Sequence, residues 1–427
     1  AILISGTSYD TDAVDIDNDG DIDIVQGGDL KVWINDGFGS FSLSQQQSNL
    51  EYEKQTFGDL DGDGDPEMVV IGDYDSGQYI GINIWISEDG NLSFADDNVG
   101  SGIFNVVDIE LADLDGDSDL DIAAVVKEGS TQFYLRTFHN EGSLNFSQFD
   151  DISLSSLDDN IKLSVGDFDD DSDEDTALLD NGTIGIYLNE GAAFSNNSRI
   201  IPSSTLSPEN LQLGALDGDL DIDIFTSNTD EYSLNSFVFL NDGSAGFTES
   251  PEVVATYGYQ SALADIDDDG DLDIITTDYV TKINIFLNDG AASFEKDDID
   301  LGAADEYAVP AFGDFDGDGD QDLVIGGYYT SSRVFLNDAI NSAPLRADSL
   351  ALVALYNATD GDNWTDNTNW NTGELSTWFG VTVNTEDVTD LNLPANNLVG
   401  AIPAEFVNLT GLVSADLSGN IIDAIEG

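Results

Sequence analysis

Over the first 340 residues, apolar side chains come in short runs set between acidic and glycine-bearing turns, and the runs follow one recurring order. A brief apolar approach, such as Ala13-Val14, Leu111-Ala112, Leu263-Ala264 or Ala311-Phe312, leads into an acidic stretch. A β-branched run follows, as in Ile22-Asp23-Ile24-Val25, Met68-Val69-Val70-Ile71, Leu272-Asp273-Ile274-Ile275 and Leu323-Val324-Ile325, whose length and side-chain type predict a buried strand. A third apolar segment comes next, for example Val32-Trp33-Ile34-Asn35, Ile82-Asn83-Ile84-Trp85 or Ile283-Asn284-Ile285-Phe286. Most of these end in a turn such as Asn35-Asp36-Gly37, Asn140-Glu141-Gly142, Asn189-Glu190-Gly191, Asn241-Asp242-Gly243 or Asn288-Asp289-Gly290, with the glycine or asparagine a tight hairpin needs. Phe41, Phe146, Phe194, Phe247 and Phe294 follow those turns and start a predicted fourth strand.

The acidic stretch reads D-x-D-x-D-G-D-x-D or a close relative, and it begins seven times, at Asp15, Asp59, Asp113, Asp167, Ala215, Asp265 and Asp314. Successive starts lie 44, 54, 54, 48, 50 and 49 residues apart. That is the length of one four-stranded unit, so the chain reads as an array of similar modules. Four antiparallel strands repeated radially form the blade of a β-propeller, an arrangement that protects most sheet edges. The fold class expected is therefore mainly β, a seven-bladed propeller over residues 1–342. Its seventh copy lacks the glycine and phenylalanine that open an outer strand elsewhere, and Ala1 to Ser5 are expected to supply that strand.

Charge narrows the chemistry. Acidic residues number 86 and basic ones 10, a formal net charge of -76, which excludes nucleic acid or anionic lipid as partners bound through their phosphates. The seven nine-residue windows hold 37 of the 86 acids, so the clustering is local; the remainder form a solvated, self-repelling surface. No cysteine is present, which removes disulfides and thiolate metal sites. No apolar run approaches the roughly 18 residues of a membrane span, and Ala1 to Ile4 is too short for a signal peptide, as at a processed terminus.

Alternate residues of a tight loop point inward, so carboxylates at positions 1, 3 and 5, a carbonyl at 7 and a carboxylate at 9 converge on one cation. Oxygen-only ligation with high charge favours Ca²⁺ over Mg²⁺, and zinc would recruit His or Cys where only His139 exists. The candidate metal residues are Asp15, Asp17, Asp19, Asp21 and Asp23; Asp59, Asp61, Asp63, Asp65 and Glu67; Asp113, Asp115, Asp117, Asp119 and Asp121; and Asp167, Asp169, Asp171, Asp173 and Asp175. To these are added Asp217, Asp219, Asp221 and Asp223; Asp265, Asp267, Asp269, Asp271 and Asp273; and Asp314, Asp316, Asp318, Asp320 and Asp322. Glycine at position 6 (Gly20, Gly64, Gly270, Gly319) permits the turn, and Ser118 and Ser172 replace it in two copies. The copy at 215–223 loses its first carboxylate to Ala215 and places Leu220 at position 6, where a positive φ costs roughly 1 kcal/mol. Six good calcium sites and one weak or empty site are expected. An EF-hand would carry Glu at position 12 with flanking helices, whereas Gln26 and Val70 stand there inside strand-like runs.

With Phe57-Gly58-Asp59 and the run from Phe312-Gly313-Asp314 to Gly319-Asp320, the chain resembles the FG-GAP and VCBS-type repeats of integrin α-subunit propellers and many secreted bacterial proteins. The likeness spans residues 1 to about 340. It implies calcium held in the loop between the first two strands of a blade.

After Asn341-Ser342-Ala343-Pro344 the acidic loops stop, and a second domain over 343–427 is expected. Asp348 is read as the cap of a short helix carrying Leu350, Val353 and Leu355, and Trp364, Trp370 and Trp378 as core. The stretch from Leu391 to Leu398 is echoed from Ala415 to Ile422, with an offset of 24 from Asn396 to Asn420. That period and Gly400-Ala401-Ile402-Pro403 resemble plant-type leucine-rich repeats, a small α/β solenoid, with Asp360 to Val381 resembling their N-terminal cap and Asp360 to Asp362 a cap turn. Two repeats leave an exposed end, read as either chain continuation or a surface for another subunit.

The function expected is a non-enzymatic, secreted extracellular or cell-surface calcium-binding protein, serving adhesion, surface structure or a filament. Its partners are extracellular protein or glycan, or copies of itself, with no nucleic acid and no membrane span. The alternatives are a receptor-like module for protein or carbohydrate, or the non-catalytic part of a secreted glycan-active enzyme. No nucleophilic cysteine and no G-x-S-x-G elbow exist, and His139 beside Asn140 reads as a strand-end residue. Sequons at Asn91, Asn145, Asn181, Asn196, Asn357, Asn363 and Asn408 permit glycosylation.

Overall fold

The computed structural model describes residues 2–5, 8, 10–48, 51–73, 81–88, 90–96, 99, 105–154, 161–180, 182–191, 194, 199–202, 208–228, 236–250, 258, 260–277, 282–297, 301, 308–327, 331–337, 343–359, 361–370, 375–384 and 387–425. Two compact units emerge: residues 1–315 with 321–336, and residues 316–320 with 337–427.

The first unit is mainly β, with seven four-stranded antiparallel sheets among the described residues. The first sheet runs Thr11–Val14, Asp23–Gln26, Leu30–Asn35 and Phe41–Gln47, each strand pairing with the next. Five more sheets repeat that order, with first strands Glu51–Gly58, Asn105–Ala112, Ile161–Gly166, Pro208–Gly214 and Gln260–Ala264. The seventh takes Pro310–Gly313, Asp322–Ile325 and Ser332–Phe335 from one end of the unit and Ile2–Ile4 from the other. Ile2 pairs with Val334, Leu3 with Arg333 and Ile4 with Ser332.

Burial explains the patterning. Second strands such as Asp23–Gln26 and Asp273–Thr277 are buried at every position, with apolar Ile24-Val25 and Ile274-Ile275 between an acidic first residue and polar ends at Gln26 and Thr276-Thr277. Outer strands such as Phe41–Gln47 stand largely in solvent and alternate polar residues. Each pair of adjoining sheets shares a core: Val25, Val32, Met68 and Val70 join the first to the second, and Ile275, Ile285, Leu323 and Ile325 join the sixth to the seventh. The series returns on itself, because Ile4, Val324 and Val334 of the seventh sheet pack with Ile24 of the first. The first strands of all seven sheets line one central cavity of about 310 Å³.

Two fourth strands begin differently from the phenylalanine rule. Phe194 forms only an isolated bridge with Asn189 and its sheet resumes at Arg199–Pro202, while Phe247 lies just before Thr248–Glu249.

In the second unit, the helix Ala343–Ala358 packs Leu352 and Leu355 into a core with Trp364, Trp370, Trp378, Leu391 and Leu393. Trp370 touches both other tryptophans, with ring centroids 4.7 Å from Trp364 and 5.1 Å from Trp378. Asp348 does not cap this helix. It lies inside it, buried, and its Oδ2 accepts the Val388 N–H at 2.5 Å, so the side chain satisfies a strand amide instead of a helix terminus. Val353 is half-buried, the Leu350 side chain and Asp360 lie outside the described residues, and so do residues 338–342 around the expected domain boundary. Asp387–Asn392 pairs in parallel with Ser414–Asp416, placing Asp390 beside Ser414, Leu391 beside Ala415 and Asn392 beside Asp416.

Candidate metal centres

Each acidic window joins the first and second strands of its sheet, and its first carboxylate folds the loop upon itself. Asp15 accepts the Asp19 N–H at 3.1 Å through Oδ1 and the Gly20 N–H at 2.9 Å through Oδ2. The bond from position 6 to position 1 recurs from Gly64 to Asp59, Ser118 to Asp113, Ser172 to Asp167 and Gly270 to Asp265, at 2.9 to 3.1 Å. Position 6 is left-handed throughout these loops, including Ser118 at φ 78° and Ser172 at 75°. Position 4 is left-handed too, at Asn18, Gly62, Gly116, Asp170, Gly218, Asp268 and Gly317. Only glycine, asparagine or aspartate occupies it, the residues that tolerate this conformation, and that regularity was the overlooked signal.

These two turns bring carboxylates together. Ligand oxygens of Asp15, Asp17 and Asp19 lie within 4.8 Å of one another, as do those of Asp59, Asp61 and Glu67, of Asp113, Asp115 and Asp117, and of Asp167, Asp169 and Asp175. Burial first, and then the like charges of Asp19 and Asp15, push the Asp17 carboxyl above its ordinary range; Asp267 is raised the same way by burial, Asp269 and Asp265. Asp17 Oδ1 and Glu67 Oε1 are buried with no hydrogen-bond partner among the described residues. Oxygen-only clusters with raised carboxyls and orphaned oxygens fit a hard divalent cation, which offsets the repulsion.

The position-7 side chains stand apart from that convergence. A Cβ on Gly37 would sit 2.4 Å from Asp21 Oδ2, on Gly191 2.9 Å from Asp173, on Gly243 2.9 Å from Asp221 and on Gly290 2.4 Å from Asp271. These carboxylates lie against the glycine of the following hairpin turn, so that glycine is required for space as well as for its positive φ.

Position 9 has a second task. Asp23, Glu67, Asp121, Asp175, Asp223, Asp273 and Asp322 are fully buried, and one oxygen of each accepts the N–H of position 2 (Ile16, Leu60, Leu114, Phe168, Leu216, Ile266, Phe315) at 2.8 to 3.1 Å. In five sheets the other oxygen accepts the N–H of the turn asparagine, Asn35, Asn140, Asn189, Asn241 or Asn288, at 2.6 to 2.8 Å. Burial raises Asp23, Glu67 and Asp175 to about 7 and Asp121, Asp223 and Asp273 to about 6, against the lowering effect of the N–H donors.

The same asparagines reach the neighbouring sheet. Asn35 Nδ2 donates to Phe315 O at 2.8 Å, Asn140 to Leu60 O at 2.6 Å, Asn189 to Leu114 O at 2.8 Å, Asn241 to Phe168 O at 2.9 Å and Asn288 to Leu216 O at 2.9 Å. In the second sheet, Ser87 Oγ donates to Ile16 O at 2.8 Å. Every acceptor is position 2 of the preceding acidic loop, so the loops are clasped sheet to sheet. Sequence reading assigned these asparagines to turns alone; their recurrence directly before Asp-Gly or Glu-Gly was the available sign.

The loop at 215–223 keeps its clasp, with Asp223 accepting Leu216 N–H and Asn241 N–H at 2.8 Å each, but has no carboxylate at position 1. Leu220 adopts φ 80° with 86 % of its surface exposed. His139 is the penultimate residue of the strand Gln132–Asn140, buried, with Nδ1 3.0 Å from Asp115 Oδ2, and joins a cluster with Asp115 and Asp121. Among the sequons, Asn91, Asn145, Asn357, Asn363 and Asn408 are exposed; Asn181 and Asn196 lie outside the described residues.

Residues 15–70, 59–124 and 265–325 match the family model of the FG-GAP-like repeat. Among 246 similar solved chains is one described as an Agrocybe aegerita lectin that recognises non-reducing terminal N-acetylglucosamine, at 18% identity and TM-score 0.48, covering 77% of this chain and 94% of the other. BBS1N in complex with ARL6DN, in crystals soaked with lead and with mercury, aligns at 11% identity with TM-scores of 0.51 and 0.50, covering 78% of this chain and 93% of its own. No curated protein matches. The chain thus carries FG-GAP-like repeats on a β-propeller-like fold.

Proposed function

We propose that the chain is a non-enzymatic, calcium-stabilised structural or adhesion protein of the extracellular space. Residues 1–342 form a seven-bladed FG-GAP/VCBS-type propeller whose last blade takes Ile2–Ile4, and residues 343–427 a leucine-rich-repeat cap with two repeats. The observation that carries this reading is the coupling of carboxylate clusters to buried clasps that span adjoining sheets, seen in full in the loops at 59–67, 113–121 and 167–175.

In the first loop Asp15, Asp17 and Asp19 hold the cation, and their counterparts do so elsewhere. Bound calcium neutralises the cluster and steadies the loop from which the next sheet's asparagine takes its acceptor. A ligand that binds only the native state stabilises it by about 2.7 kcal/mol per site at a hundredfold excess over Kd. Six loops are strong sites and 215–223 the weak one. Weak modules of about 10⁻⁴ to 10⁻³ M fill outside cells, which supports the secreted or surface location.

The 24-residue parallel register from Asp390 to Ser414 supports the leucine-rich repeats, and the exposed Val407, Val413 and Ile421 offer a surface for a protein or glycan partner or for another copy. Calorimetry on metal-stripped protein should count six calcium ions, and chelation should lower the melting temperature. An unchanged melting temperature on chelation sinks the calcium reading. Sedimentation in calcium tests self-assembly, against which a concentration-independent monomer would count.

A further inference from the structure

The third acidic loop differs from the other six in the side chain that stands beside it. In six sheets the residue directly before the clasp asparagine or serine, or before Asn337 at the matching place in the seventh, is aliphatic: Ile34, Ile86, Leu188, Leu240, Leu287 or Leu336. In the third sheet it is His139, the single histidine of the chain. The first sheet shows where that position points. A Cβ on Gly90 would lie 2.9 Å from Ile34 Cδ1 and 3.0 Å from Asp17 Cβ, so Ile34 and the position-3 aspartate of its own loop crowd one spot. His139 also faces position 3 of its loop, with Nδ1 3.0 Å from Asp115 Oδ2 and its side chain only 9 % exposed.

A third group completes the arrangement. One potential ligand atom each from His139, Asp115 and Asp121 lies within 4.8 Å of the other two. Strand pairing sets two of them opposite one another, because Ile122 pairs with Phe138 and the next step of the register brings Asp121 to His139. The clasp holds Asp121 in place, its oxygens accepting the Leu114 N–H at 2.9 Å and the Asn140 N–H at 2.7 Å, which leaves each oxygen a second lone pair. Lysine or arginine could have supplied positive charge to Asp115; imidazole differs in offering a nitrogen lone pair to a metal at neutral pH. Nitrogen and oxygen ligands bound to one ion at about 2.0 to 2.2 Å and at right angles stand roughly 3 Å apart, which is the spacing of His139 and Asp115.

We propose that the third loop binds a first-row transition cation of the zinc class through His139, Asp115 and Asp121, in preference to calcium. Imidazole suits Zn²⁺, Ni²⁺ and Cu²⁺, whereas calcium takes oxygen ligands alone. The inference rests on the reading of the acidic loops as cation sites, and it gives one of them a different ion from the rest.

His139→Leu is the informative variant, since leucine fills the equivalent place in four other sheets. In excess calcium, competition with a chromophoric zinc chelator should show one Zn²⁺ held by the wild type at least about tenfold more tightly than by the variant, the loss that removing even an outer-shell partner brings. Cu²⁺ supplies a readout that a purely structural ion pair would not move: electron paramagnetic resonance of the wild type should carry imidazole nitrogen splitting, and His139→Leu should lack it. Equal zinc affinity in the two proteins, or splitting that survives in the variant, overturns the proposal. So does a wild-type spectrum without that splitting, a result that needs no variant to fold. Calcium binding to the metal-stripped proteins is counted separately: calcium bound equally by both with no zinc preference refutes this inference alone, whereas no calcium in either refutes the calcium reading.

Discussion

Ile4 is the side chain on which closure of the sheet series turns. It is 1 % exposed and packs with Ile24, Phe315, Val324 and Val334, whereas its neighbour Leu3 points outward at 72 % exposure on the same strand. Truncating Ile4 to alanine removes its buried apolar contacts and leaves a void between the seventh and first sheets. Core Ile→Ala changes cost 2–5 kcal/mol, and a terminal strand of three residues relaxes more readily than a central one, so about 2–3 kcal/mol is expected. Leu3→Ala should cost less than about 0.5 kcal/mol, as exposed substitutions do. Urea unfolding in saturating calcium, followed by tryptophan fluorescence, measures both, with the slope checked for constancy. Removing residues 1–6 should exceed Ile4→Ala, because the pairing with Ser332–Phe335 goes too, and amide exchange along that strand should rise. Ile4→Ala and Leu3→Ala variants equal within error, or a deletion that leaves the midpoint unchanged, would refute the closure.

Three other outcomes follow from the loops and clasps. Asn140→Ala strips the Leu60 and Leu120 carbonyls of their donor and should destabilise by about 1–3 kcal/mol, while the exposed Asn145→Ala should stay within about 0.5 kcal/mol; equal midpoints in urea would discount the clasp. The position-9 carboxyls raised to about 6 to 7 bind protons more tightly folded than unfolded, so their cost is present above those values and is relieved as pH falls through them. Metal-free protein should therefore melt higher at about pH 5.5 than at about pH 8, and calcium should reverse the trend because protons compete with it; calorimetric scans of a chelated sample that melt lower in acid would contradict the first half. Leu220→Gly should stabilise by about 1 kcal/mol by removing a strained left-handed leucine, and adding Ala215→Asp should raise the calcium count by one in a titration.

Much of the repeat was legible because each module writes its chemistry locally. The strands Asp23–Gln26, Glu67–Asp73, Asp273–Thr277 and Asp322–Ile325 fall where β-branched runs follow the acidic windows, since a strand buried on both faces carries apolar residues at consecutive positions of its middle. The position-6 turn was readable from Gly20 and Gly64, and Leu220 stood out as the one residue there that is neither glycine nor serine. What escaped was the side-chain hydrogen bonds that join residues far apart in sequence. Asn35 looked like a hairpin residue because its acceptor, Phe315 O, lies 280 positions away; Asp348 looked like a helix cap because its donor, the Val388 N–H, lies 40 away.

By itself the sequence determined the module, its acidic loop and its number of copies, because a strand pattern and a tight turn depend on neighbours in the chain. Tertiary structure alone decided that position 9 serves as a clasp, that position 7 lies against a turn glycine, and that Asp10 and Asp12 converge on Gln55. Those placements depend on how the first strands of separate sheets come side by side. Burial then gives a carboxylate one task or another: the same aspartate side chain is a solvated charge at the loop tip and a buried acceptor of two N–H groups four residues on, as Asp19 and Asp23 are.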